Sequence, residues 1–407
     1  MKWLALLLSA APLAAYPLDG YARTGIRRLE GYRLVHEGKL QGAIRLVPGA
    51  LLREGQVVLR LRGVNDAFDI TSDTPRDPAL QKGIERIFGA RDPSYSVAVL
   101  DISDPRAPRY AALRANEKKI PGSVGKLLVA GGLLDAVRRR FPGDMAARER
   151  FLRETVVAAD TFVYRDGKTV PVYNPGDARV VNKRVEAGDR YNLYEWLDHM
   201  MSQSSNAAAS FVWKQAMLLR HFGERYPGDA GAFFKETPKP ALAQLALDVN
   251  EDPLRATGLD PGQLRIGTFF TRNASAVVPG TASYACPNEL LHWLVKVEQG
   301  KLVDAWASLE MKKLLYFARP RYRYASSPAL NKAAVFFKSG SLFRCKPGIS
   351  CGAYQGTAIN LMHSVAIVES GERVYLVAMM SNVLGVNSAV EHQTIAGEIE
   401  RLMQSGR

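Results

Sequence analysis

Apolar and polar positions along the chain fall into segments of recognisable period. From Ser94 to Ile102, where Val97, Val99 and Leu100 are apolar, the pattern predicts a strand. Asp104-Pro105 then turns the chain, and Arg109 to Ala115 returns as its partner. After Pro121-Gly122-Ser123, the spacing of Val124, Leu127, Leu128, Leu134 and Val137 predicts a helix that Gly131 and Gly132 weaken. Asn192 to Met201 reads as a second helix and Ala334 to Phe337 as a strand. Ser364 to Val368 and Arg373 to Met379 flank Glu369-Ser370-Gly371-Glu372, which is a hairpin signal. Ser388 with Glu391 three residues on predicts a capping box and a final helix to about Met403.

Upstream, Gly42 to Pro48 and Gln56 to Arg62 look strand-like, with Leu59 and Leu61 on one face. They predict a small β-rich appendage over residues 16–91. A polar, Pro-containing junction, Thr71 to Pro78, and a short helix, Ala79 to Phe88, close that region. The main domain is expected over 92–407. Strands at both of its ends with helices between them imply an α/β sandwich in which the terminal strands share a sheet.

Composition narrows the class. With 47% hydrophobic and 23% charged residues, the 407-residue chain is ordinary globular protein. No apolar run beyond the N-terminus approaches the ~20 residues of a membrane helix. Residues 1–15 differ: Lys2, the apolar stretch Trp3 to Ala15 and the ending Leu13-Ala14-Ala15 read as a secretory signal peptide, so the protein is expected to be periplasmic or secreted. A net charge of +14 in an exported protein points to peptidoglycan and its acidic polymers rather than to nucleic acid, or else to a generic basic surface. The densest cluster, Lys312, Lys313, Arg319, Arg321 and Arg323, is either a polymer-facing strip or a solvated loop. Of the three cysteines, Cys345 and Cys351 bracket a Lys346-Pro347-Gly348 turn that a disulfide would close, and Cys286 is left over, expected buried and inert.

Three short motifs carry chemistry. In Ser123-Val124-Gly125-Lys126 at a helix start, the spacing puts amine and hydroxyl on one face. Serine needs a base, and a lysine of lowered pKa supplies one. Alone, Ser-x-x-Lys arises about once or twice by chance in such a chain. Ser204-Ser205-Asn206 offers a proton-relaying hydroxyl and an amide, or a plain helix cap. Lys338-Ser339-Gly340-Ser341 follows a strand, with the glycine letting a substrate lie along its edge.

In this order and context the motifs resemble the penicillin-recognising serine hydrolases, the class A β-lactamases and D,D-peptidases, over about residues 94–404. The resemblance implies their sandwich of a mainly antiparallel sheet and helices, acting on β-lactams or D-Ala-D-Ala-type peptides without cofactor or metal. It assigns Ser123 as nucleophile, Lys126 as base or base-relay partner, Ser204 as relay to the leaving nitrogen, Asn206 as partner of the substrate amide and Lys338 as electrostatic support. The N–H groups of Ser123 and Ser341 become the oxyanion hole, and the Ser339 and Ser341 hydroxyls hold the substrate carboxylate. The intervals between motifs are longer than is usual in class A, which implies insertions. One departure stands out: the class A loop glutamate that activates the deacylating water aligns with Phe269, its asparagine with Asn273, and Glu251 is the nearest alternative. Besides the enzyme, a low-turnover penicillin- or muropeptide-binding module is compatible with this set.

Overall fold

The computed structural model describes residues 19–406 except 45, 72, 165 and 319. The expected signal segment 1–15 and Arg319 therefore lie outside the described residues. Five strands form the main sheet: β1 (Ser96–Asp101), β2 (Arg109–Leu113), β3 (Ala334–Arg344), β4 (Ile359–Ser370) and β5 (Arg373–Asn382), in the order β2-β1-β5-β4-β3. Every pairing is antiparallel, and β1 lies against β5 with Val99 opposite Val377, so the two ends of the domain do share one sheet.

The helices that frame the site are α1 (Arg27–His36), α2 (Pro78–Phe88), α3 (Lys126–Arg140), α4 (Leu193–Met201), α5 (Asn206–Phe222), α6 (Lys239–Ala256), α7 (Pro287–Glu298), α8 (Ala305–Tyr316) and α9 (Ala389–Ser405). Strand β1 is buried along its whole length because helices cover both faces of the sheet. Its alternation divides two cores. Val97 and Val99 pack with Ile84 of α2 and Ile395 and Ile399 of α9. Ala98 and Leu100 face the larger core that holds α3 to α8.

Helix α3 runs through that larger core with every side chain from Lys126 to Val137 buried. Gly132, which weakens the helix by propensity, lets α6 approach: a Cβ there would lie 2.8 Å from both Asn250 Oδ1 and the Val249 carbonyl oxygen. The predicted elements around β1, β2, α2, α4 and the terminal hairpin and helix all form. The capping box at Ser388 does not, since no side chain caps α9 and Glu391 instead accepts the Tyr95 hydroxyl at 2.5 Å.

The N-terminal region corrects the expected β-rich appendage. Among the described residues no strand precedes β1; the region holds α1 and the 3-10 turns Pro48–Ala50 and Glu54–Gln56. The alternation around Leu59 and Leu61 records burial, not pairing. Val57 and Leu61 are buried, and the N–H groups of Arg60 and Leu61 bond to the side chain and carbonyl of Glu298 at the end of α7. The segment is further tied down by α1, whose Arg28 is buried against Asp198 of α4 and also donates to the Phe317 carbonyl at 2.9 Å.

The basic cluster also proves different from both expectations. Lys312 is fully buried between Glu298 and Glu369, 2.6 and 2.7 Å away. Lys313 pairs with Glu54 at 2.8 Å, and Arg321 donates to the carbonyls of Gly49, Leu330 and Ala333. These cations weld the N-terminal segment to α8 and β3. Cys345 and Cys351 are joined by a disulfide in the β3–β4 loop, and Cys286 is buried with its thiol pKa raised by that burial.

Because Arg28 has no route to water once its partner is gone, Asp198→Ala should cost about 3–5 kcal/mol in chemical denaturation. Replacing Arg28 and Asp198 together by Met and Leu should cost less than the single change. A loss below about 1 kcal/mol for Asp198→Ala would show that the pair does not anchor α1.

Candidate active site

The site forms where α3, the start of α5 and β3 meet. Gly122–Gly125 make one 3-10 turn, so Ser123 stands just ahead of α3 and Lys126 is that helix's first residue. Lys126 is fully buried. Its Nζ lies 2.9 Å from Ser123 Oγ, 2.8 Å from the Ser204 carbonyl oxygen, 3.3 Å from Ser204 Oγ and 2.8 Å from Asn206 Oδ1. Burial pushes the amine well below the usual lysine range; the positive charges of Lys168 and Lys338 push the same way, and Asp166 opposes them. An amine in that state can take a proton from the adjacent serine.

Ser204 has φ 58°, the left-handed region that costs a non-glycine residue on the order of 1 kcal/mol. That conformation directs its carbonyl to Lys126 and its hydroxyl to both Lys126 and Lys338, whose Nζ is 2.9 Å away. Asp166, from the loop before β-residues 169–172, holds the start of α5. One of its oxygens accepts the Ser205 hydroxyl at 2.8 Å and the N–H groups of Asn206 and Ala207 at 2.6 and 2.9 Å. Ser205 in turn caps the helix at Ala208 N–H, 3.1 Å away. Nothing in the sequence pattern singles out Asp166.

Strand β3 closes the other wall. Lys338 is buried, pairs in register with Val365 of β4, and has its pKa driven down by burial and by Lys168 and Arg323. Gly340 is required by proximity: a Cβ would lie 2.7 Å from the Pro121 carbonyl oxygen and 2.9 Å from Val124 N. Without a side chain there, β3 rests on the serine turn and brings Ser341 beside Gly122. Ser339 Oγ is buried with no hydrogen-bond partner among the described residues, and Ser341 Oγ accepts from Arg323 Nη2 at 3.0 Å. Arg323, expected in a surface strip, instead enters the cleft. Its guanidinium lies over the Tyr322 and Tyr354 rings, 5.5 and 5.2 Å from their centroids.

The structure thus brings Ser123, Lys126, Ser204, Asn206 and Lys338 together, with Ser339, Gly340 and Ser341 alongside. It separates Glu251, which lies buried in α6 with Arg265 2.5 Å away and Arg255 also paired to it. A helical face turned toward those arginines leaves Glu251 outside the cleft lining. Phe269 stacks on Trp213 at 4.2 Å, whereas the Phe270 ring faces Lys126 with its centroid 4.7 Å from Nζ. The Ser210 hydroxyl fixes this register by accepting the N–H groups of Phe270 and Thr271 at 3.1 and 3.0 Å. Asn273 follows in a short helix, Arg272–Val277. The cleft also contains Lys168, which the motifs did not mark; its Nζ donates to the Ser204 carbonyl at 2.7 Å.

No curated protein matches the sequence significantly. Solved structures match the fold. The beta-lactamase of Chitinophaga pinensis DSM 2588 is 17% identical with a TM-score of 0.51, covering 80% of this chain and 98% of that one. A mutant of the class A beta-lactamase of the last common ancestor of Gram-negative bacteria is 16% identical with a TM-score of 0.51, covering 81% and 100%. The protein PBP-A is 12% identical with a TM-score of 0.50, covering 81% and 98%. These likenesses speak for the fold, which is the β-lactamase-like sandwich. The sequence itself matches the "Beta-lactamase enzyme family" over residues 79–402, beginning within α2, and to that family the chain belongs.

Proposed function

We propose that the protein is an exported serine acyl-transfer hydrolase acting on β-lactams or D-Ala-D-Ala-type peptidoglycan peptides through an acyl-enzyme on Ser123. The observation that carries this reading is the buried Lys126 amine, 2.9 Å from Ser123 Oγ and within 3.3 Å of Ser204 Oγ. In the first step Ser123 Oγ bonds to the substrate carbonyl carbon while its proton passes to Lys126 Nζ. The N–H groups of Ser123 and Ser341 receive the developing oxyanion. The C–N bond then breaks, and the leaving nitrogen takes the Ser204 proton, which the Lys126 ammonium replaces. Lys338 stabilises charge on Ser204, and Asn206 meets the acyl-side amide. Ser339, Ser341 and Arg323 receive the substrate carboxylate, giving the unpartnered Ser339 hydroxyl its bond. Export is supported by the leader-like residues 1–15 and by the Cys345–Cys351 bond, which suits an oxidising compartment.

Acylation and hydrolysis need different groups. Among the described residues no carboxylate lines the cleft, and Phe270 occupies the position facing Lys126. General-base assistance is worth ~10²–10⁴-fold, so water attack on a β-lactam ester is slowed by about that factor. This favours a penicillin-trapping, low-turnover mode over efficient β-lactam destruction.

Intact-mass measurement with penicillin should show one adduct per chain, mapping to the peptide that holds Ser123 and absent in Ser123→Ala. Release should be slow, giving a stoichiometric burst with a chromogenic cephalosporin; fast repeated turnover would contradict the Phe270 argument, and an adduct surviving in Ser123→Ala would contradict the nucleophile.

The acylation rate should also fall as pH drops through the lowered Lys126 pKa, because the protonated amine cannot act as base. Lys168→Gln removes a positive charge that depresses that pKa, so the acid limb should move to higher pH. Stopped-flow acylation rates across the acid and neutral range decide this, and a limb that stays in place or moves to lower pH opposes it.

A further inference from the structure

The half of the cleft beside Ser204 is much larger than the motif chemistry requires. One cavity of about 680 Å³ is lined by Ser123, Ser204, Lys168, Ser339, Ser341 and Arg323, among others. Asn206, the acyl-side residue, does not line it. The space therefore lies on the side to which Ser204 delivers its proton, where the leaving group departs. Sites of about 300–1,000 Å³ hold ligands of drug size, well beyond a single alanine.

Its charge is one-sided. Among the described residues that line it there is no aspartate or glutamate, while Lys168, Arg321 and Arg323 all reach it, Arg321 with its guanidinium engaged by the carbonyls of Gly49, Leu330 and Ala333. Lys168 and Arg323 belong to different walls: Lys168 bonds to the Ser204 carbonyl at 2.7 Å, and Arg323 bonds to Ser341 Oγ at 3.0 Å and to the Gly340 carbonyl at 3.1 Å. Each has only uncharged hydrogen-bond acceptors. Asp166 attracts Lys168 electrostatically, but its bonds run from one carboxylate oxygen to the start of α5. A leaving group with a single carboxylate satisfies Arg323 with Ser339 and Ser341 and leaves Lys168 unmatched.

We propose that Lys168 is a second anion-binding residue, and that the preferred substrate expels a leaving group bearing two carboxylates, such as a terminal acidic D-amino acid in place of D-alanine. This rests on the acyl-transfer reading above and names its substrate class. The bond changes are unaltered: Ser123 Oγ–C forms, C–N breaks, and the acidic amine leaves with the Ser204 proton. A charge-assisted hydrogen bond to the second carboxylate contributes about tenfold or more in affinity.

The test is calorimetric binding to Ser123→Ala protein of two acetylated dipeptides, D-Ala-D-Glu and its neutral isostere D-Ala-D-Gln. The acidic peptide should bind about tenfold tighter or better. The preference should fall below about threefold when Lys168→Gln is added and survive when Lys168→Arg is added, with melting curves confirming that each variant is folded. Equal affinity for the two peptides, binding of neither, or a preference unchanged by Lys168→Gln would overturn the proposal. Acylation of Ser123 by penicillin, read separately on the parent protein, stands or fails independently of these outcomes.

Discussion

A buried amine whose hydrogen-bond acceptors among the described residues are all neutral is the constraint on which the geometry of the site depends. Lys126 is held by neutral acceptors from the serine turn and the start of α5, with an aromatic face as its remaining wall. Each neighbouring feature serves to keep those acceptors in reach. The left-handed Ser204 turns its carbonyl and hydroxyl to the lysines, Asp166 clamps the helix start that carries Asn206, and Gly340 lets β3 bring Lys338 and Ser341 against the serine turn.

The electrostatics favour the neutral amine over the ammonium. Burial is the largest influence on Lys126, and the like charges of Lys168 and Lys338 add to it. Like charges held close in a poorly solvated site repel, so each neighbouring cation disfavours the protonated amine. Asp166 acts the other way, but its contacts are with the Ser205 hydroxyl and two backbone N–H groups rather than with Lys126. Under the proposed acyl-transfer chemistry the same arrangement makes the two half-reactions unequal: the Lys126 amine adjoins Ser123, while among the described residues no carboxylate lines the cleft.

How much could be read from the chain follows from whether a signal is local. Ser123 and Lys126 are three residues apart on one helical turn, so their meeting was legible. Ser204, Asn206 and Lys338 were legible only through the ordered set of motifs, because their convergence depends on tertiary packing. Asp166, Lys168 and Arg323 are common residue types in loops and act through space, leaving no periodic trace. The Phe269–Phe270 register turns on one Ser210 hydroxyl, which no hydrophobic pattern encodes. In the N-terminal region, alternation told correctly that Leu61 is buried but not that its backbone would bond to Glu298 instead of another strand.

The central claim, that burial holds the Lys126 amine well below the usual lysine range, is accessible directly. Protein labelled with ¹⁵N at lysine Nζ, with the Lys126 signal assigned by its loss in Lys126→Arg, can be titrated by NMR. The account predicts that the nitrogen shift converts from amine to ammonium well below the pH at which a solvated lysine titrates. An ammonium shift persisting through neutral pH and titrating only in the usual lysine range would contradict it.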